Sequence, residues 1–213
     1  RLWQKSRDAV QLVAEQAQEQ RVLVQWGGGE LAAHAAHVPG ISKLVHDAAR
    51  WGHELHQFGR DEAAERTGST KFFGGFIDQQ ALHLDPLAFA QSLGRKYEAL
   101  GGQLFADCKV TGLSRQGAQF VAHTPSGDVC ADLVYVCTNA WTASIIPELE
   151  SYLMPVANFM LATKPLGQSV DVLGDHACYA TTNFVLDYFR KSHDGRMIFG
   201  GLVAYDTNRR GPD

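Results

Sequence analysis

The sequence predicts a mixed α/β fold, and three observations carry that expectation. Apolar residues recur at helical spacing in several stretches, alternate at strand spacing in others, and run without interruption in one. The stretch that organises the chain is residues 81–141, where all three patterns follow one another. Asp85 can cap a helix that Pro86 opens, and Leu87, Ala90, Leu93, Tyr97 and Leu100 then fall on a single stripe until Gly101 and Gly102 stop it. Burial of that stripe is expected, at about 10 kcal/mol gross. Strands are expected over residues 103–106, 109–114 and 118–124, and a Pro125-Ser126-Gly127-Asp128 turn leads into residues 129–137. Leu133, Val134, Tyr135, Val136 and Cys137 form the uninterrupted run of a strand covered on both faces, ending at the small polar tip Thr138-Asn139-Ala140. In open α/β sheets, ligands bind at such carboxyl ends.

The rest of the chain follows in order. Residues 2–20 read as an amphipathic helix with Ala9, Val10, Val13, Ala14 and Ala17 on one face. Residues 21–26 alternate as a strand, and Gly27-Gly28-Gly29 reads as a hairpin turn into residues 31–34. A phosphate loop would need a long helix after the glycines and a Gly-Lys-Ser/Thr ending; here they lie between two short strands and no such ending follows. Residues 40–51 form a helix with Ile41, Leu44, Val45 and Ala48 inward; residues 53–58 form a strand, and Asp61 opens a short helix ending at Gly68. Residues 72–78 read as a strand whose Gly74-Gly75 pair admits close approach by another group. Further strands are expected at 156–163, 179–180, 184–190 and 196–202, the last two joined through His193-Asp194-Gly195.

Composition narrows the function. The 213 residues are 45% apolar, enough for a core in one or two domains, and the net charge of −4 gives no electrostatic support for nucleic acid or anionic membranes. No apolar run approaches the length of a membrane span, and no signal peptide opens the chain, so a cytoplasmic location is expected. Cys108, Cys130, Cys137 and Cys178 make no CxxC pair and read as scattered thiols of a reducing compartment. His34 with His37 and His53 with His56 lack a third convergent ligand, so no metal site is expected. Asp61, Glu62 and Glu65 read as helix capping and a solvated face, against the alternative of paired acid–base carboxylates. Tyr188 and Arg190 lie two apart on a strand and therefore share a face; a hydroxyl beside a guanidinium suits a carboxylate or another anionic substrate group. The alternative is a tyrosine packed in the sheet with an arginine at its rim.

The order of helix, strand, β-meander, apolar strand and Thr-Asn tip resembles the D-amino-acid-oxidase-like family of FAD-dependent oxidoreductases. Val110-Thr111-Gly112-Leu113 and Cys137-Thr138-Asn139-Ala140 carry the likeness, with Phe72-Phe73-Gly74-Gly75-Phe76-Ile77-Asp78 and the pattern from Tyr188 and Arg190 through Gly195, Arg196, Met197, Ile198, Phe199, Gly200 and Gly201. The subgroup it resembles is the γ-glutamylputrescine oxidoreductase type. The resemblance implies an FAD-binding-type α/β unit with a β-meander, drawn from residues 1–20 and 81–150. It also implies an antiparallel substrate-domain sheet with helices, drawn from residues 21–80 and 151–213.

The same resemblance implies FAD as cofactor and an amine or amino acid as substrate, with oxidation of its C–N bond by hydride transfer to the flavin. Val110, Thr138, Asn139 and His83 are then the cofactor-side residues, Tyr188 and Arg190 the substrate-side pair, and a homo-oligomer is compatible. His83 is open to a plainer reading, a histidine near a helix cap bonded to backbone. The family's opening G-x-G-x-x-G fingerprint and its closing segment do not occur, so the chain reads as an internal fragment that alone should purify colourless. Two other readings stand beside this one: a non-catalytic binding or structural remnant that does not hold flavin, and a dehydrogenase acting on a hydroxyl, which would need a basic phosphate pocket.

Overall fold

The structure, a computed structural model, describes residues 2–167 and 172–204. In chain order the regular elements are α1 (Leu2–Glu19), β1 (Val24–Leu31), α2 (Val38–Arg50), β2 (His56–Phe58), α3 (Arg60–Thr67), β3 (Gly75–Leu84) and α4 (Pro86–Ala99). The meander β4 (Gly112–Gln116), β5 (Gln119–Thr124) and β6 (Gly127–Ala131) follows. After it come two 3-10 turns (Asn139–Ser144 and Pro147–Tyr152), then β7 (Ala157–Ala162), β8 (Cys178–Thr181), β9 (Tyr188–Lys191) and β10 (Met197–Ala204). Contacts divide the described residues into two compact units, one drawn from residues 2–96 and 158–203 and the other centred on residues 97–157.

The first unit is built on a seven-stranded sheet in the order β2-β3-β1-β8-β9-β10-β7, so strands from both halves of the chain join one sheet. The sheet is mixed: β1 pairs antiparallel with β3 and parallel with β8. One face carries the core. Leu31, Phe58, Ile77, Tyr179 and Phe189 are buried there with Ala63 of α3 and Leu173, and Phe189 stacks on Phe199 with ring centroids 5.8 Å apart. Below that face Arg66 ties the layers together. Its guanidinium donates to Glu62 at 2.7 Å and to Asp175 at 2.8 Å, while the Tyr179 hydroxyl donates to the same Asp175 at 2.6 Å.

Gly27-Gly28-Gly29 is not a hairpin turn. The three glycines lie inside β1, the strand between β3 and β8, with the register shifting between Trp26 and Gly28. A glycine run signals either a turn or close approach, and here it is close approach. A Cβ on Gly29 would stand 2.1 Å from the Phe76 carbonyl oxygen and 3.0 Å from the Tyr179 ring. Gly27, at φ +110°, takes up the bulge.

The helices match expectation more closely than their burial does. Asp85 caps α4 by accepting from the backbone N–H of Leu87 at 2.9 Å and of Ala88 at 3.1 Å, and Gly68 ends α3 in the left-handed conformation. The stripe on α4 is not buried, however. Leu87, Ala90, Tyr97 and Leu100 are exposed and Leu93 only half-buried, while Ser92 is the fully buried residue. Helical period identified the helix but not what covers its apolar side.

The second unit holds the three-stranded antiparallel sheet β4-β5-β6. Residues 103–106 and 109–111 are not strands, and β4 begins only at Gly112. The expected buried strand at residues 133–137 also does not form. That segment is irregular, with Leu133 63% and Tyr135 82% exposed, because no strand pairs with it among the described residues. An uninterrupted apolar run reports a preference for cover, and cover comes from a neighbour.

Candidate functional site

On the face of the large sheet opposite the core, register decides what β8, β9 and β10 present. Ala180 pairs with Tyr188 across β8 and β9, and Arg190 pairs with Ile198 across β9 and β10, so these side chains project together with Cys178. They line a cavity of about 310 Å³ with Met160 of β7. Its floor is made of small or slender side chains, and its polar groups are the Tyr188 hydroxyl, the Arg190 guanidinium and the Cys178 thiol. The expectation that Tyr188 and Arg190 share a face is what the register gives.

Tyr188 reaches over Gly200, its cross-strand partner, where a Cβ would collide with the ring, and its hydroxyl donates to the Asn158 carbonyl oxygen Oδ1. Burial pushes the Cys178 thiol up, partly opposed by the nearby Arg190 charge, so it stands protonated at neutral pH.

Arg190 is half-buried, and among the described residues no carboxylate pairs with it. Its partner is His83, whose Nδ1 lies 3.5 Å from the arginine's Nη1. His83 sits near the end of β3, opposite Gln25 of β1 and two residues before the Asp85 that caps α4, in keeping with its plainer reading. Its Nε2 meets the backbone carbonyl of His176 at 2.8 Å. Burial lowers the His83 pKa, the Arg190 charge lowers it further, and the bond to His176 works in the opposite direction.

Arg190 also opens onto a larger cavity of about 890 Å³ whose rim includes Arg21, Arg95 and Arg196. Arg196 is neutralised by Asp194 at 2.6 Å, while Arg21, Arg95 and Arg190 reach the cavity from three separate segments. Sequence reading also missed Asn158, Met160 and Cys178. The pairing of β8 with β1 and β9 was the signal needed, and it is not local.

The other expected site residues lie in the second unit. Val110 is half-buried in the loop before β4. Thr138 caps the following 3-10 turn, with its hydroxyl 3.1 Å from that of Thr142, and Asn139 takes a positive φ of 46°. Of the paired histidines, His53 bonds Asp78 at 2.9 Å and His56 bonds Glu62 at 3.0 Å. Among the described residues no three metal-ligating side chains converge, and no helix is long and apolar enough to cross a membrane.

All 213 residues match the family model described as DAO, FAD dependent oxidoreductase. The chain belongs to that family. A probable oxidoreductase, OrdL, of Rhizobium meliloti is 29% identical over 212 residues, 98% of this chain and 50% of its own length. A γ-glutamylputrescine oxidoreductase of Escherichia coli is 25% identical over 191 residues, 88% of this chain and 44% of its own. Among solved structures, the L-proline dehydrogenase of P. horikoshii superposes with a TM-score of 0.79 at 16% identity, over 97% of this chain and 57% of that one. The fold is therefore that of the family's flavoenzymes, and the chain spans about half the length of the curated relatives it matches.

Proposed function

We propose that this chain contributes the substrate-facing sheet of an FAD-dependent oxidoreductase that oxidises the C–N bond of an amino acid or amine. The carbon bearing the amine gives up a hydride and the nitrogen a proton, and the resulting imine is hydrolysed by water. FAD, when bound, supplies the two-electron acceptor. Arg190 holds an anionic group of the substrate through charge-assisted N–H donors, and Tyr188 closes the same pocket beside it. Small side chains at Cys178 and Ala180 leave an apolar floor that would accommodate part of the cofactor. Val110, Thr138 and Asn139 would be further residues holding the cofactor.

The observation that carries this reading is Arg190: a half-buried guanidinium in a cavity, without a carboxylate partner among the described residues. A half-buried, unneutralised charge of that kind suits an external anion. The test is anaerobic reduction of FAD by a panel of amines and amino acids in the protein with its natural flanking sequence. Arg190→Met should raise KM for carboxylate-bearing substrates at least about tenfold, the loss of one charge-assisted pair. Equal KM values for the parent and Arg190→Met would remove Arg190 from the site.

A further inference from the structure

We infer that His83 is the positioning residue for Arg190, a neutral hydrogen-bond acceptor that aims the guanidinium while leaving its charge available to a substrate anion. The inference rests on the reading of Arg190 given above and extends it to a residue on a different strand. Two contacts define the arrangement: His83 Nε2 to the His176 carbonyl at 2.8 Å, and His83 Nδ1 to Arg190 Nη1 at 3.5 Å.

The chemistry of the two partners fixes the tautomer. A backbone carbonyl only accepts, so Nε2 must carry the proton. Nδ1 is then a bare lone pair, and it faces a guanidinium that only donates. The opposite tautomer would set N–H against N–H at Arg190 and leave Nε2 facing a carbonyl with nothing to donate. His176, at a positive φ of 56°, supplies the carbonyl from the loop before β8, so the histidine is fixed from outside its own strand. The lowered His83 pKa agrees with a neutral ring in this position.

Neutrality is what makes the arrangement useful. An Asp at this position would hold Arg190 as well or better, but would cancel its charge and compete with the incoming anion. An apolar residue would leave the long arginine side chain to its rotamers, and ordering it would then be charged to binding. Imidazole in this tautomer avoids both. The contact is long, so its part is to restrict where the guanidinium points, not to bind it tightly.

Long-range 1H–15N NMR of the His83 ring tests the tautomer in this chain, and acetate titration followed at the Arg190 side-chain resonances tests its consequence. The expected result is protonated Nε2, with an Nδ1 signal that moves in Arg190→Met. His83→Asn, which keeps a neutral acceptor near the Nδ1 position, should bind acetate within about threefold of the parent. His83→Asp should weaken acetate about tenfold or more, with His83→Leu between the two. If His83→Asp does not fold, the order of Asn and Leu decides. A proton on Nδ1, or an Nδ1 signal indifferent to Arg190→Met, overturns the inference and leaves Arg190 as an anion site untouched. The expected tautomer with no acetate response at Arg190 overturns the anion reading itself, and the proposed role of His83 with it.

Discussion

Charge at single residues sorts into groups that hold the fold and groups that fold at a cost. Arg66, with a side chain 19% exposed, belongs to the first kind: burial would lower its pKa, but the Glu62 and Asp175 carboxylates more than offset that and keep it charged. Arg66→Leu removes the cation and leaves Asp175 beside the Tyr179 hydroxyl in the core. We expect a loss of about 3 kcal/mol by urea unfolding, as when one partner of a largely buried pair is deleted. A loss under about 1 kcal/mol, the level of an exposed pair, would show the network to be solvated. Glu30 belongs to the second kind. Burial raises its pKa above 4.5, opposed by His37, so the folded state holds its proton longer than the unfolded chain does. Stability is then unaffected well below 4.5, falls as pH rises from that value through the folded pKa, and is level above it. Glu30→Gln should therefore melt higher than the parent at neutral pH, with the difference vanishing in acid. A difference that grows on acidification would reverse the assignment.

At the scale of elements, what was legible was whatever the local pattern controls. Asp85-Pro86 fixed the start of α4, Gly68 fixed the end of α3, and the alternation in residues 118–124 fixed β5. The glycine run and the apolar run were misread for one shared reason. Each is a statement about neighbours, and the neighbours of β1 and of residues 133–137 lie far away in sequence or are not found among the described strands. The two segments should respond oppositely to substitution. Gly29→Ala drives a methyl into the Phe76 carbonyl and the Tyr179 ring and should cost about 3 kcal/mol or more, since backbone on one side cannot yield. Val136→Asp, in an irregular and half-exposed stretch, should cost less than about 1 kcal/mol in this chain. Thermal melts of the two variants beside the parent decide it, and the reverse order would mean that residues 133–137 are the structural strand and β1 the tolerant one.

Across the whole molecule, the site was legible as residue types but not as a place. That Tyr188 and Arg190 share a face was recognisable from their spacing alone, because period two fixes it. His83 was singled out for another role, since the bond to the His176 carbonyl joins residues far apart in sequence and no pattern records it. The same limit applies to the surface. Apolar side chains that spacing assigned to a core stand in solvent in this chain: Leu87 is 65% exposed, Leu100 80%, Leu133 63% and Tyr135 82%. Scattered apolar exposure is ordinary, but rows of it on α4 and along residues 133–137 are the kind of surface that draws in a second molecule. With a net charge of only −4, repulsion between copies is weak. The chain on its own should therefore associate as its concentration rises. Light scattering across a dilution series should give a mass that climbs above 23.3 kDa, and Leu100→Lys with Tyr135→Lys should bring it back towards that value without lowering the melting temperature. A mass that stays at 23.3 kDa throughout, in a chain that also fails to bind a hydrophobic dye, would mean that these side chains find cover within the molecule.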